Sequence, residues 1–523
     1  MLDFTGVRIY CRPVRYTILS FYLLFGLACG ESTVPKDAGG RVADTGAEPM
    51  PDGGSMTSPD AALRDARPAD DATVFLDATA EEEDAGFAQD STVEPDAGFA
   101  QDSTVELDAG FAQDAQVGQD AGFPSANRLW SQIGGDIDGE NTNDKSGSSV
   151  SFSADGSVLA VGAIENDGGG SGAGHVRIYQ NVSGSWMQIG QDIDGETAGD
   201  KSGYSVSLNA DGSIVAIGAI YNDGNGGFEN GHVRVYQNAA GTWTQIGQDI
   251  DGENGLDQFG NSVALNADGS IVAIGARYND DNGGNAGHVR IYQNIGANWT
   301  QIGQDIDGEA SGDELGSSVS LSDDGSIVAI GAQYNDGNGS NSGHVRVYQN
   351  LAGTWTQIGQ DIDGDASNDQ FGHSVSLSSN GSIVAIGAIG NDGAGLDAGH
   401  VRIYQNVAGT WTQVGQDIDG EAAENKFGDS VSLSADGSIV GIGAVYNYDN
   451  GIEAGHVRIY QNVAGAWTQT GQDIDGEAMN DQSGGAVSLS SDGLNIAIGA
   501  RLNDGNGNNS GHVRVYRFLN TPN

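Results

Sequence analysis

Residues 259–303 read FGNSVALNADGSIVAIGARYNDDNGGNAGHVRIYQNIGANWTQIG and contain four segments with the pattern of β-strands. The segment NSVALN alternates apolar with polar or small residues, which predicts a strand with one apolar face. The run IVAIGA at 271–276 is almost continuously apolar, as expected of a strand buried on both faces. Between them, Asp268-Gly269 predicts a tight hairpin turn of the primed type, because glycine adopts the positive φ that such turns need. After the loop YNDDNGGNAG, the segments HVRIYQN and NWTQIG complete four antiparallel strands.

Seven copies of this unit follow one another at nearly constant spacing, and two landmarks identify each copy. The first landmark is the tryptophan of the fourth segment, found at Trp130, Trp186, Trp243, Trp299, Trp355, Trp411 and Trp467. The second is the histidine of the third segment, found at His175, His232, His288, His344, His400, His456 and His512. A repeat array of this kind forms one body rather than several independent domains.

Seven four-stranded units with buried central strands predict an all-β fold, a seven-bladed β-propeller of four-stranded antiparallel blades. An open solenoid is the alternative architecture. The array begins with an isolated fourth segment at 129–133 and finishes with a third segment at 512–518, without a tryptophan segment after it. The N-terminal strand can therefore pair into the last blade and close the ring, which removes the exposed edges of an open array. We favour the closed ring for this reason.

Composition limits the kinds of partner that the chain can have. Its 523 residues include 84 glycines and 9 prolines, and 72 acidic residues outnumber 21 basic ones to give a formal net charge of -51. This charge repels the phosphates of nucleic acids and anionic lipid surfaces, so we expect no nucleic-acid partner. The acidic excess either attracts divalent cations or forms a solvated surface. Cys11 and Cys29 both precede the repeats, which therefore lack disulfides and cysteine metal sites.

The first 28 residues have the pattern of a signal peptide. Arg8, Arg12 and Arg15 precede the apolar run TILSFYLLFGLA, which is too short to span a bilayer. The sequence GLACG at 26–30 resembles a bacterial lipobox, in which the cysteine receives lipid, and this resemblance implies lipidation of Cys29. Ordinary signal cleavage without lipidation is the alternative. The predicted location is the outer membrane or cell surface, after secretion across the inner membrane.

The sequence divides into four parts. Residues 1–28 are the predicted signal peptide, and residues 29–127 are predicted to be a disordered acidic Asp/Ala-rich linker, because they contain few of the apolar residues that a core needs. Within the linker the phrase DAGFAQD begins at Asp84, Asp96 and Asp108, a duplication typical of low-complexity spacers. The propeller is predicted at 128–518, followed by a short tail at 519–523.

The repeats contain a pair of dipeptides that resembles a known family. A Phe-Gly opens the first strand and a Gly-Ala closes the second, and the pair resembles that of FG-GAP repeats, the propeller repeats of integrin α chains. The complete pairs are Phe259-Gly260 with Gly275-Ala276, Phe371-Gly372 with Gly387-Ala388, and Phe427-Gly428 with Gly443-Ala444. In other copies the phenylalanine is replaced, by Ser146, Ser202, Leu315 or Ser483, and no copy has the family's proline after Gly-Ala.

The resemblance implies a propeller that binds proteins, glycans or other extracellular ligands, often together with calcium. In the family, an aspartate-rich calcium loop lies between the Phe-Gly and Gly-Ala strands. Here the corresponding segment is shortened to Ala-Asp-Gly or a similar tripeptide. We therefore expect the family's calcium site to be absent from this place.

A different acidic loop precedes each Phe-Gly position and has carboxylates at alternate positions across a glycine. Carboxylate oxygens are ligands that Ca²⁺ prefers, although the spacing is not that of an EF-hand, whose invariant glycine is sixth. Calcium binding is one interpretation, and aspartates that cap turn amides or pair with the repeated arginine are the other. The candidate ligands are Asp192, Asp194, Glu196, Asp200, Asp249, Asp251, Glu253, Asp257, Asp305, Asp307, Glu309 and Asp313. We predict no other cofactor.

The segment HVRIY places His288, Arg290 and Tyr292 on one face of a strand and two apolar residues on the other. We interpret this face as a hydrogen-bonded layer in which arginine pairs with aspartate between blades, rather than as a ring of metal-binding histidines. The tryptophans are expected to pack between blades. The predicted inter-blade arginines are Arg177, Arg234, Arg290, Arg346, Arg402, Arg458 and Arg514.

The symmetry of the repeat favours binding over catalysis, because an active site needs different groups in an asymmetric pocket. We predict no catalytic residue. The predicted function is a binding or adhesion module that recognises an extracellular protein or glycan through the propeller loops. The propeller is expected to be monomeric and to contact the membrane only through the lipid. The alternatives are a hydrolytic or glycan-active propeller enzyme and a structural component of the cell surface.

Overall fold

The computed structural model describes residues 128–224 and 227–520. Every regular element in these two ranges is a β-strand, and the ranges contain no helix suited to crossing a bilayer. The predicted signal peptide, the predicted linker and Cys29 lie outside the described residues.

Each of the seven sheets has the same order of antiparallel strands: an inner strand, a second strand, a third strand and an outer strand. The inner strands of blades 1 to 7 are Ser146–Phe152, Ser202–Leu208, Phe259–Leu265, Ser318–Leu321, Phe371–Leu377, Val431–Leu433 and Ser483–Leu489. The second strands are Val158–Ala163, Ile214–Ala219, Ile271–Ala276, Ile327–Ala332, Ile383–Ala388, Ile439–Ala444 and Asn495–Ala500. The third strands are His175–Val182, His232–Ala239, His288–Asn294, His344–Asn350, His400–Val407, His456–Val463 and His512–Asn520.

The outer strands, in the same blade order, are Ser185–Gln188, Thr242–Gln245, Trp299–Gln301, Trp355–Gln357, Thr410–Gln413, Ala466–Gln469 and Arg128–Gln132. A two-residue strand from the following acidic loop adds to the beginning of each third strand. These short strands are Ile193–Asp194, Ile250–Asp251, Ile306–Asp307, Ile362–Asp363, Ile418–Asp419, Ile474–Asp475 and Ile137–Asp138. The fold is therefore all-β, with seven blades built on the predicted four-stranded path.

The ring is closed by the two ends of the repeat array. Arg128–Gln132 pairs antiparallel with His512–Asn520, so that Trp130 is opposite Phe518. The third strand of blade 7 extends to Asn520, two residues past the boundary predicted from the sequence. The prediction that an N-terminal strand completes the last blade is confirmed.

The hairpin loops that join inner and second strands are hydrogen-bonded to one another around the axis. The N–H of Ala154 donates to the carbonyl of Ala210 in the next blade, and the series continues until the N–H of Ser491 donates to the carbonyl of Ala154. The seven N···O distances lie between 2.8 and 3.0 Å. This closed series of bonds restrains every blade relative to its neighbours.

The Phe-Gly and Gly-Ala dipeptides are required by the close approach of neighbouring blades. A Cβ atom built on Gly275 would lie 2.2 Å from the carbonyl oxygen of Gly316 in the next blade. Gly316 has a φ of +88°, a left-handed conformation that favours glycine. In blade 3, a register shift occurs between Phe259 and Ser262, where the Phe-Gly glycine forms a bulge. The dipeptides therefore mark a contact between backbones, which a side chain would prevent.

The hydrophobic core lies between consecutive blades. One cluster of buried residues includes Ala216 and Val233 from blade 2 together with Phe259 and Ile274 from blade 3. The tryptophans extend this packing to the outer strands, because each indole Nε1 donates to a carbonyl that follows the outer strand of the preceding blade, at 2.8 to 3.1 Å. Each blade is thus stabilised mainly by its two neighbours.

The first hairpin of the unit differs in detail from the sequence-based prediction. Five residues, Asn266 to Ser270, separate the strands of blade 3, and only Gly269 among them has a positive φ, of +71°. The N–H of Gly269 donates to the carbonyl of Asn266 at 3.0 Å. The loop is therefore longer than the two-residue primed turn that Asp268-Gly269 suggested, because Asn266, Ala267 and Ser270 also lie outside the two strands.

Candidate functional site

The acidic loops and the most variable loops lie together at one end of the propeller. The acidic loop that follows each outer strand contacts the loop between the second and third strands of the same blade. In blade 2, the N–H of Gly252 donates to the carbonyl of Gly231 at 2.9 Å, and the N–H of Leu256 donates to the carbonyl of Phe228 at 2.9 Å. We call this end the acidic face, and the opposite end, which carries both sets of hairpins, the hairpin face.

The repeated arginines lie at the junctions between blades on this face. Arg290 donates to Asp305 Oδ2 at 2.7 Å, in the acidic loop that follows its own blade, and forms an ion pair with Glu253 in the loop that precedes the blade. Although burial opposes its charge, these two carboxylates raise the pKa of Arg290. Burial also opposes ionisation of Asp305, yet hydrogen bonds from Arg290 and Gln301 lower its pKa.

The other arginines occupy equivalent positions, and each pairs with an acidic residue of the loop that precedes its blade. The pairs are Arg177 with Glu140, Arg234 with Glu196, Arg346 with Glu309, Arg402 with Asp365, Arg458 with Glu421, and Arg514 with Glu477. Five of the arginines also pair with an aspartate of the loop that follows their blade, and thereby connect successive acidic loops: Arg177, Arg290, Arg346, Arg402 and Arg458.

The four carboxylates of one predicted calcium loop have separate surroundings. In the loop after blade 2, Asp249 accepts a hydrogen bond from Gln245 Nε2 at 2.6 Å, and Glu253 pairs with Arg290. Asp251 lies on the two-residue strand opposite His232. Equivalent positions are taken by Asp192, Asp194, Glu196 and Asp200 and by Asp305, Asp307, Glu309 and Asp313.

The last carboxylate of six of the seven acidic loops is buried, and Asn425 takes its place in the loop before blade 6. Asp257 Oδ2 accepts hydrogen bonds from the N–H of Asn254 at 3.2 Å and from Asn279 Nδ2 at 3.1 Å. Burial raises the pKa of Asp257, and these hydrogen bonds oppose the increase. Such contacts correspond to the capping and pairing interpretation of the loop, while calcium binding to it stays a prediction.

The repeated histidines are buried beneath the acidic face. His288 is 0% exposed, and its ring packs edge-on against Phe259, with ring centroids 6.4 Å apart. Burial lowers the pKa of four of them to about 4, namely His232, His288, His344 and His512. Burial also lowers the pKa of His175, His400 and His456. These imidazoles are therefore neutral at pH 7 and have a ring nitrogen with a free lone pair.

The structure brings carboxylates together around the histidines, and they come from different loops. Among the described residues, at least five clusters place a histidine nitrogen and carboxylate oxygens within 4.8 Å of one another. They are Glu140, His175 and Asp192; Glu196, His232 and Asp249; Asp281, His288 and Asp305; Glu421, Asp449, His456 and Asp473; and Asp136, Glu477 and His512. The sequence analysis grouped the carboxylates within one loop and assigned the histidines a structural role, so it missed these sets.

Two cluster members, Asp281 and Asp449, lie outside the acidic loops from which the candidate ligands were selected. They follow Asn279 and Asn447 by two positions, where the other five copies have a glycine: Gly168, Gly224, Gly337, Gly393 and Gly505. Asp449 Oδ2 lies 3.9 Å from His456 Nδ1. A comparison of the seven repeats with one another identifies these two aspartates, because this position is aspartate in two repeats and glycine in the other five.

The short loop between the inner and second strands does not fit calcium. In blade 3, Asp268 Oδ1 accepts the N–H of Ser270 at 2.9 Å. Hydrogen bonding from Ser270 lowers the pKa of Asp268, and partial burial opposes this effect. With its single carboxylate engaged by the turn itself, the loop lacks the six to eight oxygen ligands that Ca²⁺ takes.

Large apolar side chains project from the acidic face at three of the seven blades. Phe228, Leu396 and Ile452 are 64%, 63% and 55% exposed, and each precedes the repeated histidine by four positions. At four equivalent positions the other blades have Ser171, Gly284, Ser340 and Asn508. Leu256 is exposed beside Phe228, and Met479 is exposed beside Ile452. These side chains break the rotational symmetry of the face.

The fold and the loop-bearing face define a seven-bladed β-propeller. Three stretches of the repeat array match the FG-GAP repeat, at residues 250–292, 306–348 and 355–404. The assignment made from the dipeptides is thereby confirmed. No curated protein matches the chain.

Three solved structures are similar to this chain at low sequence identity. The periplasmic gluconolactonase PpgL of Pseudomonas aeruginosa is 18% identical with a TM-score of 0.44, over 64% of this chain and 86% of that one. A candidate 6-phosphogluconolactonase from Bacteroides uniformis is 12% identical with a TM-score of 0.45, over 66% and 90% of the two chains. The structure of U3-55K is 12% identical with a TM-score of 0.43, over 74% and 100%.

Proposed function

We propose that this protein is a binding or adhesion module at the cell surface that recognises an extracellular protein or glycan through the acidic face, without catalysis. The supporting observation is the exposure of Phe228, Leu396 and Ile452 on variable loops of a closed ring. Phe228 lies beside the exposed Leu256, and Ile452 lies beside the exposed Met479; grouped apolar side chains of this kind are typical of interaction surfaces. Loops carried by a rigid scaffold are also where binding residues concentrate.

The loops that carry these side chains are held in place by their own hydrogen bonds. The N–H of Leu256 donates to the carbonyl of Phe228 at 2.9 Å, and the N–H of Asn480 donates to the carbonyl of Ile452 at 2.8 Å. The N–H of Glu424 donates in the same way to the carbonyl of Leu396 at 2.7 Å. A preorganised loop loses little conformational entropy on binding, which favours recognition.

Display at the surface is a separate part of the proposal and depends on Cys29, which lies outside the described residues. A lipid on this cysteine and the acidic linker after it would hold the propeller away from the membrane. The mass of the mature N-terminal peptide tests this part. A diacylglyceryl-modified cysteine at position 29 supports the anchor, and an unmodified N-terminus contradicts it.

The binding part is tested on glycan arrays and arrays of extracellular proteins with the full-length chain. The loop variant F228S/L396S/I452S installs serine, the residue that two other blades have at this position. The control variant L351S/V407S/V463S removes three apolar side chains of similar exposure, 53%, 57% and 54%, from the hairpin face. We expect the loop variant to lose at least tenfold in affinity for the array ligand, and the control to bind like the original chain.

Equal binding by both variants, or a loss confined to the control, would contradict the proposed surface. Repeating the assay with EGTA tests the prediction of calcium in the acidic loops, since a calcium-dependent face loses binding when the ion is removed. Binding that is unchanged in EGTA contradicts a role for calcium and leaves the proposed surface in place.

A further inference from the structure

Blades 3 and 6 differ from the other five at one chemically important position. Asp281 and Asp449 replace a glycine, and each backbone keeps the same conformation, with its N–H donating to the side-chain oxygen of the preceding asparagine at 3.0 and 2.9 Å. Gly168 makes the same bond in blade 1, at 2.8 Å. The two aspartates therefore add a carboxylate to an unchanged loop.

The added carboxylates are directed toward histidines whose ring nitrogens have no hydrogen-bond partner. Both ring nitrogens of His288 and both of His456 are buried and unpartnered. These two residues are 0% and 1% exposed. Since an unpaired buried polar atom costs about 1 to 3 kcal/mol, a histidine in this state suggests that a ligand normally occupies the site.

In blade 6 the surrounding carboxylates converge on the same point. Glu421, Asp449 and Asp473 each have an oxygen within 4.8 Å of one another and of a His456 ring nitrogen. Arg458 pairs with Glu421 and Asp473, and Asn447 Nδ2 lies 3.2 Å from Asp449 Oδ2. Because a carboxylate has about four lone-pair sites, these contacts leave acceptor sites free for a cation.

The charges of the cluster are not balanced within the protein. Three carboxylates and the one arginine that pairs with two of them leave an excess of two negative charges in the cluster. One divalent cation would neutralise this excess. In blade 3, Asp281 and Asp305 occupy the same positions around His288.

We propose that Glu421, Asp449, His456 and Asp473 in blade 6, and Asp281, His288 and Asp305 in blade 3, each bind one divalent transition-metal ion of the Zn²⁺ and Mn²⁺ class. This inference goes beyond the proposed function. An imidazole nitrogen among carboxylates suits such ions, whereas Ca²⁺ and Mg²⁺ select oxygen ligands alone. Metal–ligand bonds of about 2.0 to 2.2 Å in a tetrahedral site separate the ligand atoms from one another by about 3.4 Å. The exposed carboxylates therefore need to move toward the ion by about 1 Å when it binds.

The experiment counts ions in the full-length chain after treatment with EDTA. Zn²⁺ or Mn²⁺ is added, free metal is removed by desalting, and bound metal is measured by plasma mass spectrometry. The variants D281G and D449G install the residue that five blades already have, so the fold is retained. D280N and E453Q remove one carboxylate each from the same loops outside the clusters and are the matched controls.

We expect bound metal to fall by one ion per chain in D281G, by one in D449G and by two in the double variant, and to be unchanged in D280N and E453Q. Ions bound elsewhere in the chain do not affect the result, because each variant is compared with the metal content of the original chain. Visible absorption of bound Co²⁺ should also decrease with each loss, because it reports nitrogen and carboxylate ligation. A double variant that keeps its full complement of metal overturns the proposal. So does complete displacement of Zn²⁺ by an equal concentration of Ca²⁺, which would assign the sites to hard cations.

Discussion

The indole Nε1 of Trp130 donates a hydrogen bond to the carbonyl oxygen of Thr470 across 2.8 Å, although 340 positions separate the two residues in the chain. The backbone of Trp130 is also bonded to Gln472, whose Oε1 accepts at 3.2 Å and whose Nε2 donates at 2.9 Å. Trp243 makes the same three bonds to Ile189 and Gln191 within the array. The junction between blades 6 and 7 is thus equivalent to the internal ones.

Removal of the Trp130 side chain should weaken ring closure. W130A deletes a buried aromatic side chain and should lower the free energy of unfolding by about 3 to 5 kcal/mol. W130F retains most of the packing and loses chiefly the indole hydrogen bond, at a cost of about 1 kcal/mol. Denaturant unfolding followed by tryptophan fluorescence measures both changes. A W130A protein within 0.5 kcal/mol of the original chain would show that this strand does not secure the ring.

A methyl group on Gly275 should disrupt the contact between blades 3 and 4. Its Cβ would lie 2.2 Å from the Gly316 carbonyl oxygen, so G275A forces backbone apart and should cost at least about 2 kcal/mol. Gly284 is the control, because its added Cβ meets nothing within 4 Å. G284A should leave stability unchanged or raise it by up to about 1 kcal/mol. Thermal unfolding compares the two, and equal midpoints would contradict the close-contact explanation of the dipeptides.

Arg290 should contribute to stability through its two carboxylate partners. R290M keeps much of the side-chain volume, removes the hydrogen bond to Asp305 and the pair with Glu253, and should destabilise the chain by about 2 kcal/mol. R290K should restore only part of this loss, because lysine lacks the planar fork of donors. The unfolding midpoint should therefore be highest for the original chain, lower for R290K and lowest for R290M. An R290M protein as stable as the original would contradict a structural role for the arginine layer.

Stability should decrease in mild acid because the buried histidines are neutral in the folded state. Burial lowers the pKa of His232, His288, His344 and His512 to about 4, from the usual histidine value of about 6.5. Between these values the unfolded chain binds more protons, so stability rises with pH and is fully present above about pH 6.5. The unfolding midpoint should therefore fall steadily from pH 6.5 to pH 4. H344Q, at a histidine outside the two proposed metal sites, should reduce the slope of this fall, and a midpoint independent of pH in this range would contradict the burial of neutral imidazoles.

Much of the fold could be predicted from the sequence, because the periodicity of the repeat is strong and its phase at the two ends is informative. The alternation in NSVAL and the apolar run IVAIGA correspond to the inner and second strands, Phe259–Leu265 and Ile271–Ala276. The unpaired tryptophan segment at the beginning indicated ring closure, which the pairing of Trp130 with Phe518 bears out. Local patterns of this kind specify the strands and their order.

The contacts between blades could not be predicted in the same way, since they join residues of different repeats. The approach of Gly275 to Gly316 depends on the rotation between blades, which one repeat does not encode. The same holds for the cluster of Glu421, Asp449 and His456, which combines the loop before blade 6 with two elements of that blade. The sequence analysis grouped carboxylates by loop, whereas Glu421 and Asp473 belong to different loops, 35 and 17 positions from His456.

The closed ring is tested most directly by a disulfide between its two ends. Ser131 and Arg517 are paired across the closing strands, and the described residues contain no cysteine. The variant S131C/R517C, with Cys11 and Cys29 replaced by serine, should form an intramolecular disulfide under mild oxidation, seen as lost free thiols and altered mobility on a non-reducing gel. The control S131C/Q405C places the second cysteine at the equivalent strand position of blade 5 and should keep both thiols free within the chain. Free thiols in S131C/R517C, or bonds only between chains, would contradict a propeller closed by its first strand.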